Sequence, residues 1–153
     1  MKLYQPVIIF ILMALMSLTV QAQEFPGQYV DLPGVKLWVI DSGGNGEPVI
    51  LLHPRTGNAD FFQASLPALA NAGYRAIAID FPGWGRSMVN DPDNKIPVAV
   101  TLEALFDELG FESVHLVGTA MGGYIALDYA TYKPERLKTL TIAASGLGLQ
   151  GDP

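Results

Sequence analysis

The chain is predicted to fold as an α/β domain, with a mostly parallel sheet covered by helices on both faces. From Val49 onward, short apolar runs alternate with segments whose apolar residues recur every three or four positions, the order of strands and helices in such a fold. Those runs are continuously apolar instead of alternating, as strands buried on both faces require. Three glycine-containing turns, at 53–57, 80–87 and 118–123, each follow such a run directly. Open α/β sheets place their sites at strand ends, and right-handed crossovers fix the hand of the layers.

Residues 1–22 are set apart from this domain. Lys2 gives a short basic start, Val7 to Val20 is an almost unbroken apolar run, and Val20-Gln21-Ala22 offers small side chains before Gln23. This is the layout of a secretory signal peptide cleaved after Ala22, which makes the mature chain secreted or periplasmic. The run is shorter than the roughly 20 residues that span a bilayer, so no membrane association is expected after cleavage. The chain has no cysteine, which excludes a lipid-anchored cysteine and any disulfide.

Residues 23–153 then form one domain. In the sequence as a whole, half of the 153 residues are apolar, and fifteen acidic residues stand against nine basic ones, Lys2 included. The basic residues are scattered, which argues against a nucleic-acid surface; the acidity reads as a solubility feature. Two histidines and no cysteine make a metal cluster unexpected, and no cofactor motif is present. Nothing in the pattern selects an oligomeric state.

In chain order, Gln28 to Leu32 and Val35 to Ile40 read as strands joined by the turn Pro33-Gly34. A tight loop from Asp41 to Gly46 leads to the strand Val49 to His53. Asn58 is placed to cap a helix running to about Asn71, with Phe62, Leu66 and Leu69 on one face and Gly73 as its stop. Arg75 to Asp80 is a buried strand. Beyond a loop rich in Pro, Asp and Asn, Leu102, Leu105, Phe106 and Leu109 mark a helix ended by Gly110. Val114 to Val117 is a strand, Met121 to about Tyr132 a helix, and Leu137 to Ala143 a last strand. No internal repeat interrupts this order.

Each of the three turns admits a distinct reading. His53-Pro54-Arg55-Thr56-Gly57 can direct a backbone N–H toward a pocket, or it is a plain loop with a hydrogen-bonded histidine. Asp80 to Ser87 reads as architectural, with Asp80 bonding the turn, Gly83 and Gly85 supplying unusual backbone angles, and Trp84 available to line a pocket. Gly118-Thr119-Ala120-Met121-Gly122-Gly123, between a strand and a helix, has the frame of a nucleophile elbow. In such an elbow Gly118 and Gly122 permit close strand–helix approach, and the Met121 N–H at the helix start is an oxyanion donor. The apex, normally Ser, is Ala120. A methyl group can be neither deprotonated nor acylated.

On these three motifs, over about Val35 to Ser145, the chain resembles the N-terminal half of an α/β-hydrolase fold protein, of the group containing esterases, lactonases, epoxide hydrolases and C–C bond hydrolases. The family's HG-x-P-G turn corresponds to His53 to Gly57, its D-x-x-G-x-G-x-S turn to Asp80 to Ser87, and its G-x-S-x-G-G elbow to Gly118 to Gly123. The resemblance implies a truncated fold with about six of the family's eight strands, and Arg55 and Met121 as the oxyanion N–H donors. Pro54 departs from the family's Gly. His115, one strand before the elbow, is not the base of this family and reads as a core or edge histidine.

The family takes its acid and its histidine from after later strands, and no His follows His115 in this chain. Thr119 is expected to point away from the pocket that residue 120 faces, Ser65 lies on a helix, and Ser87 and Ser145 end strands without a His available as base, so no replacement constellation is evident. The last strand is expected to have an unpaired outer edge, and the ending from Gly146 to Pro153 reads as the start of a connection, so that a longer product is expected. Three functional readings follow. The first is a hydrolase lineage acting on an ester, lactone or related small carbonyl substrate, this chain being inactive as written. The second is a non-catalytic module holding a small carbonyl ligand. In the third, a longer protein keeps Ala120 and activates water with a histidine beyond Pro153. Phe61, Phe62, Trp84 and Tyr124 suggest an apolar, partly aromatic rim.

Overall fold

The computed structural model describes residues 23–93 and 96–146. The expected signal peptide and the chain ending from Leu147 lie outside the described residues. Strands β1 (Gly27–Leu32), β2 (Val35–Asp41), β3 (Pro48–Leu52), β4 (Arg75–Ile79), β5 (Met88–Val89), β6 (Val114–Thr119) and β7 (Leu137–Ala143) form one sheet. Its order is β1-β2-β4-β3-β6-β7, with β5 pairing β2 off this path. The pairs β4–β3, β3–β6 and β6–β7 are parallel, whereas β1, β4 and β5 all run antiparallel to β2. Helices α1 (Ser65–Asn71), α2 (Val98–Glu108) and α3 (Met121–Tyr132) complete the described elements, with 3-10 turns at Ala59–Phe62 and Pro134–Arg136.

The continuous apolar runs serve two cores at once. Ile50 and Leu52 of β3, with Ile77 and Ile79 of β4, pack with Leu102, Leu105 and Phe106 of α2 and Ala126 and Tyr129 of α3. Their neighbours Val49, Leu51, Ala76 and Ala78 point the other way, into a core closed by Ala59, Phe62 and Leu66. Burying one such aliphatic side chain is worth about 2 kcal/mol, and a one-residue slip would exchange the two faces, so the register is firmly set. The antiparallel hairpin β1–β2 turns at Pro33-Gly34, where Gly34 has φ +78°.

Three expectations change. The helix foreseen from Asn58 to Asn71 is broken: Asn58 accepts from the Asp60 N–H at 2.9 Å and caps only the 3-10 turn, while α1 starts at Ser65. Pro67 supplies the reason, because it lacks an N–H and is tolerated in a helix's first turn but not in its interior. Phe62, proposed for a pocket rim, is 5% exposed and belongs to the core. The short strand β5 was not foreseen, two residues being too few to carry a pattern, and it brings the sheet to seven strands. Among the described residues, no helix is long and apolar enough to cross a membrane.

Candidate active site at the strand ends

The first turn contacts both of the others. At the end of β3, the Gly57 N–H donates to Pro54 O at 2.9 Å and closes a tight turn with Arg55 and Thr56 exposed at its tip. His53 is fully buried. Its Nε2 lies 3.3 Å from the Phe81 N–H, which can only donate, so Nε2 accepts and Nδ1 carries the proton given to Pro54 O at 2.8 Å. The ring also packs on Phe81, with centroids 4.2 Å apart. Burial pushes His53 below the usual imidazole value, against the opposing pull of Pro54 O and the Asp80 charge. His53 is therefore a neutral brace between the first and second turns.

The second turn is organised by Asp80, which is also fully buried. Its carboxylate accepts the Ala59 N–H at 2.6 Å, the Arg86 N–H at 2.7 Å and two guanidinium contacts from Arg86 at 2.9 and 3.1 Å. Burial alone would raise its pKa, but the Arg86 guanidinium and the two backbone donors outweigh it and hold the carboxyl below its usual range. Ser87 donates to Asp80 O at 2.7 Å and accepts the Trp38 N–H at 2.8 Å, tying the turn to β2. Gly85 is required here: at φ +54°, an added Cβ would stand 2.3 Å from Asp80 Oδ2. Trp84 sits at the turn's tip, 38% exposed.

The third turn is an elbow in its backbone. Ala120 has φ +49° and ψ −113°, a conformation that costs an L-residue about 1 kcal/mol or more. β6 ends at Thr119 immediately before it, and α3 starts at Met121 immediately after it. A Cβ on Gly118 would meet Gly122 O at 2.2 Å, and one on Gly122 would meet Leu52 O at 2.2 Å and His53 O at 2.8 Å. Helix α3 thus starts against the end of β3, with Gly122 set against the backbone of Leu52 and His53. Among the described residues, neither the Arg55 N–H nor the Met121 N–H donates to a protein acceptor.

Two features here were not foreseen. Ala144, just after β7, is a second non-glycine residue at positive φ, +53°. Ser145 follows it and donates to Ala120 O at 2.6 Å. Both depend on β7 lying beside β6, so sequence spacing held no signal for them. Arg86 was likewise unremarked, although it supplies the counter-charge of Asp80. A Cβ added at Gly57 would make ordinary contact with Pro54 and Phe61; Phe61 and Tyr124 are each 53% exposed.

His115 lies on β6 opposite Val49, at the far end of the strand from Ala120. Its Nδ1 is 2.8 Å from Thr139 Oγ1 and its Nε2 3.1 Å from Glu47 Oε2, with Lys138 on the same carboxylate. It is a half-buried histidine near the start of an interior strand, paired by β3 on one side and β7 on the other and held in a polar cluster. A cavity of about 300 Å³ is lined by Phe25, Ile40, Gln63 and Leu66 among others, and does not reach Ala120, Arg55 or Met121.

Comparison with known proteins places this arrangement. The family model described as "alpha/beta hydrolase fold" matches residues 47–151. The chain is 40% identical over 114 residues to a 2-hydroxy-6-oxononadienedioate/2-hydroxy-6-oxononatrienedioate hydrolase of Paraburkholderia phymatum, covering 71% of this chain and 39% of that protein. It is 39% identical, over the same share of this chain and 40% of the relative, to a 2-hydroxy-6-oxo-6-phenylhexa-2,4-dienoate hydrolase of Comamonas testosteroni. Among solved structures, a probable hydrolytic enzyme from Pseudomonas aeruginosa aligns with a TM-score of 0.73 at 26% identity, over 82% of this chain and 43% of that one. An epoxide hydrolase from Vigna radiata aligns with a TM-score of 0.71 at 26% identity, over 78% and 39%. The chain spans about two fifths of the length of these curated relatives.

Proposed function

Because this chain belongs to the alpha/beta hydrolase fold family, we propose that it derives from a hydrolase acting on an ester, lactone or related small carbonyl substrate and retains the elbow without its nucleophile. The observation that carries this reading is Ala120 itself: the strained turn between β6 and α3 is kept, φ +49° included, while its apex ends in a methyl group. Acyl transfer needs a nucleophile, a base within hydrogen-bond reach and a group that orients the base. His53 is near the elbow, but both ring nitrogens are engaged and the ring is buried. His115 stands five residues back along β6, roughly 16 Å from the apex at strand rise. Among the described residues, Ala120 therefore has neither a nucleophilic side chain of its own nor a free base beside it. The kinship with C–C bond hydrolases makes a small oxo-acid the favoured substrate class of the lineage.

A second reading is supported by the Arg55 and Met121 N–H groups, which have no protein acceptor among the described residues. On this reading the strand ends hold a small carbonyl-containing ligand without turnover, with no cofactor taking part. A fluorophosphonate probe tests the first reading. The purified chain is expected to take up no stoichiometric label, and covalent labelling of any Ser or Thr would overturn it.

Export with cleavage after Ala22 is also proposed. The intact mass of the chain recovered from the periplasm or medium reads it, and retention of residues 1–22 would overturn it.

A further inference from the structure

We propose that Ser145 sets the direction of the Met121 backbone N–H, and so acts as a positioning residue for the oxyanion-accepting side of the elbow. The peptide joining Ala120 to Met121 is planar and trans, so its C=O and N–H point in opposite directions and fixing one fixes the other. Ala120 O accepts three hydrogen bonds: from the Gly123 N–H at 2.9 Å, the Tyr124 N–H at 3.3 Å and Ser145 Oγ at 2.6 Å. The first two come from α3's own first turn, where helices fray most readily. Ser145 is the donor from a different element, and its bond is the shortest of the three.

Two otherwise costly features serve this contact. Ala144 is held at φ +53°, a conformation that L-residues avoid, and it turns the chain after β7 so that Ser145 faces the elbow. Gly123 has no Cβ where one would stand 2.1 Å from Ser145 Oγ. The Ala120 N–H is also anchored on the same segment, donating to Ala143 O at 2.9 Å. The exit of β7 thus grips the strained apex on both of its backbone polar groups. Ser145 also lies 3.3 Å from Ala143 O, the bond that a simple strand-ending serine would make. The 2.6 Å contact to Ala120 O is much the shorter, so the hydroxyl serves the elbow first.

The inference rests on reading the Met121 N–H as an oxyanion donor, and the test keeps the two apart. In the isotopically labelled full chain, residual dipolar couplings give the direction of the Met121 N–H, and titration with methylphosphonate, a tetrahedral oxyanion, reads binding at the Arg55 and Met121 amides. Ser145→Ala is expected to turn the Met121 vector while leaving the couplings of β3 and β6 unchanged, and to weaken methylphosphonate binding about tenfold, the worth of one charge-linked hydrogen bond. Ser145→Thr is expected to restore both. Should Ser145→Ala fail to fold, Ser145→Cys, a near-isostere with a weak donor, carries the same two measurements. A Met121 vector unchanged in the Ala or Cys variant would overturn the role of Ser145 whatever the ligand does. Absence of any methylphosphonate response at Met121 in the unaltered chain would overturn the oxyanion reading by itself.

Discussion

The buried Asp80 carboxylate is forked by Arg86, with Oδ2 2.9 Å from Nε and Oδ1 3.1 Å from Nη2. Through Oδ1 the carboxylate also takes the Ala59 N–H and so fastens the second turn to the 3-10 turn Ala59–Phe62, while Ser87 ties the same turn to β2.

Asp80→Asn is expected to destabilise the fold by about 2 kcal/mol at pH 7, the cost of weakening charge-assisted hydrogen bonds to a buried carboxylate whose partner Arg86 is half-buried. The native carboxyl titrates below its usual range, so the unfolded chain binds more protons near pH 4 and stability rises with pH there. The contribution is complete above the unfolded carboxyl's range and is lost as the pH falls through the folded value. Urea denaturation at pH 7 and pH 3 checks this. The two proteins should differ less at pH 3, and a difference that does not shrink in acid would count against the ion pair as its source.

His53 is expected to remain neutral, with its proton on Nδ1, at pH values where a free imidazole is half charged. Its folded pKa is depressed, chiefly by burial. Its contribution to stability is therefore present above about pH 6.5, the unfolded value, and falls as the solution is acidified. Nitrogen NMR shifts of the ring report tautomer and titration together. A titration midpoint at or above the free value, or a proton on Nε2, would remove His53 as the brace of the Phe81 N–H.

Much of this arrangement is legible in the amino-acid sequence because local chemistry dictates it. β3 and β4 are continuous apolar runs, which only a sheet covered on both sides can bury, and Gly118 and Gly122 bracket an apex that must lie close to backbone. The rest depends on contacts that spacing does not encode. Ser145 reaches Ala120 only because β7 pairs with β6 in the register Thr119↔Ala143. Phe62 fits an apolar helix face, yet nothing local says whether that face looks into the core or over a pocket. The break before Ser65 has a signal in the sequence, since Pro67 sits where a longer helix would need an N–H, but the Asn58 cap is the more prominent one.

Gly122→Ala is expected to be among the most damaging single-methyl additions. The new Cβ would stand 2.2 Å from Leu52 O and 2.8 Å from His53 O, backbone atoms fixed inside the sheet that cannot turn aside. Overpacking of this kind costs roughly 3 kcal/mol. The change should also lift α3 off β3 and so separate the elbow from the first turn. At Gly43 an added Cβ meets nothing within 4 Å, so Gly43→Ala carries only the penalty of its φ of +69° and serves as the control. Thermal melts that ranked the two variants equally would show that the close approach is not what Gly122 provides.

Ala120 separates the strain of the elbow from its chemistry. Replacing it with Gly relieves a positive-φ penalty and should stabilise the chain by about 1 kcal/mol, raising Tm by a few degrees. Ala120→Ser keeps the penalty and adds the hydroxyl, so its stability should stay near that of the unaltered chain. It should also gain no turnover of p-nitrophenyl acetate, because the nearest histidine, His53, has both nitrogens committed to Pro54 O and the Phe81 N–H. A burst of p-nitrophenol from Ala120→Ser would mean that a base reaches the apex, and His53 would then be the first residue to replace. If Ala120→Gly melts lower than the unaltered chain, the apex methyl must instead be packing against something, and the turn would be held by that contact and not merely tolerated at a cost.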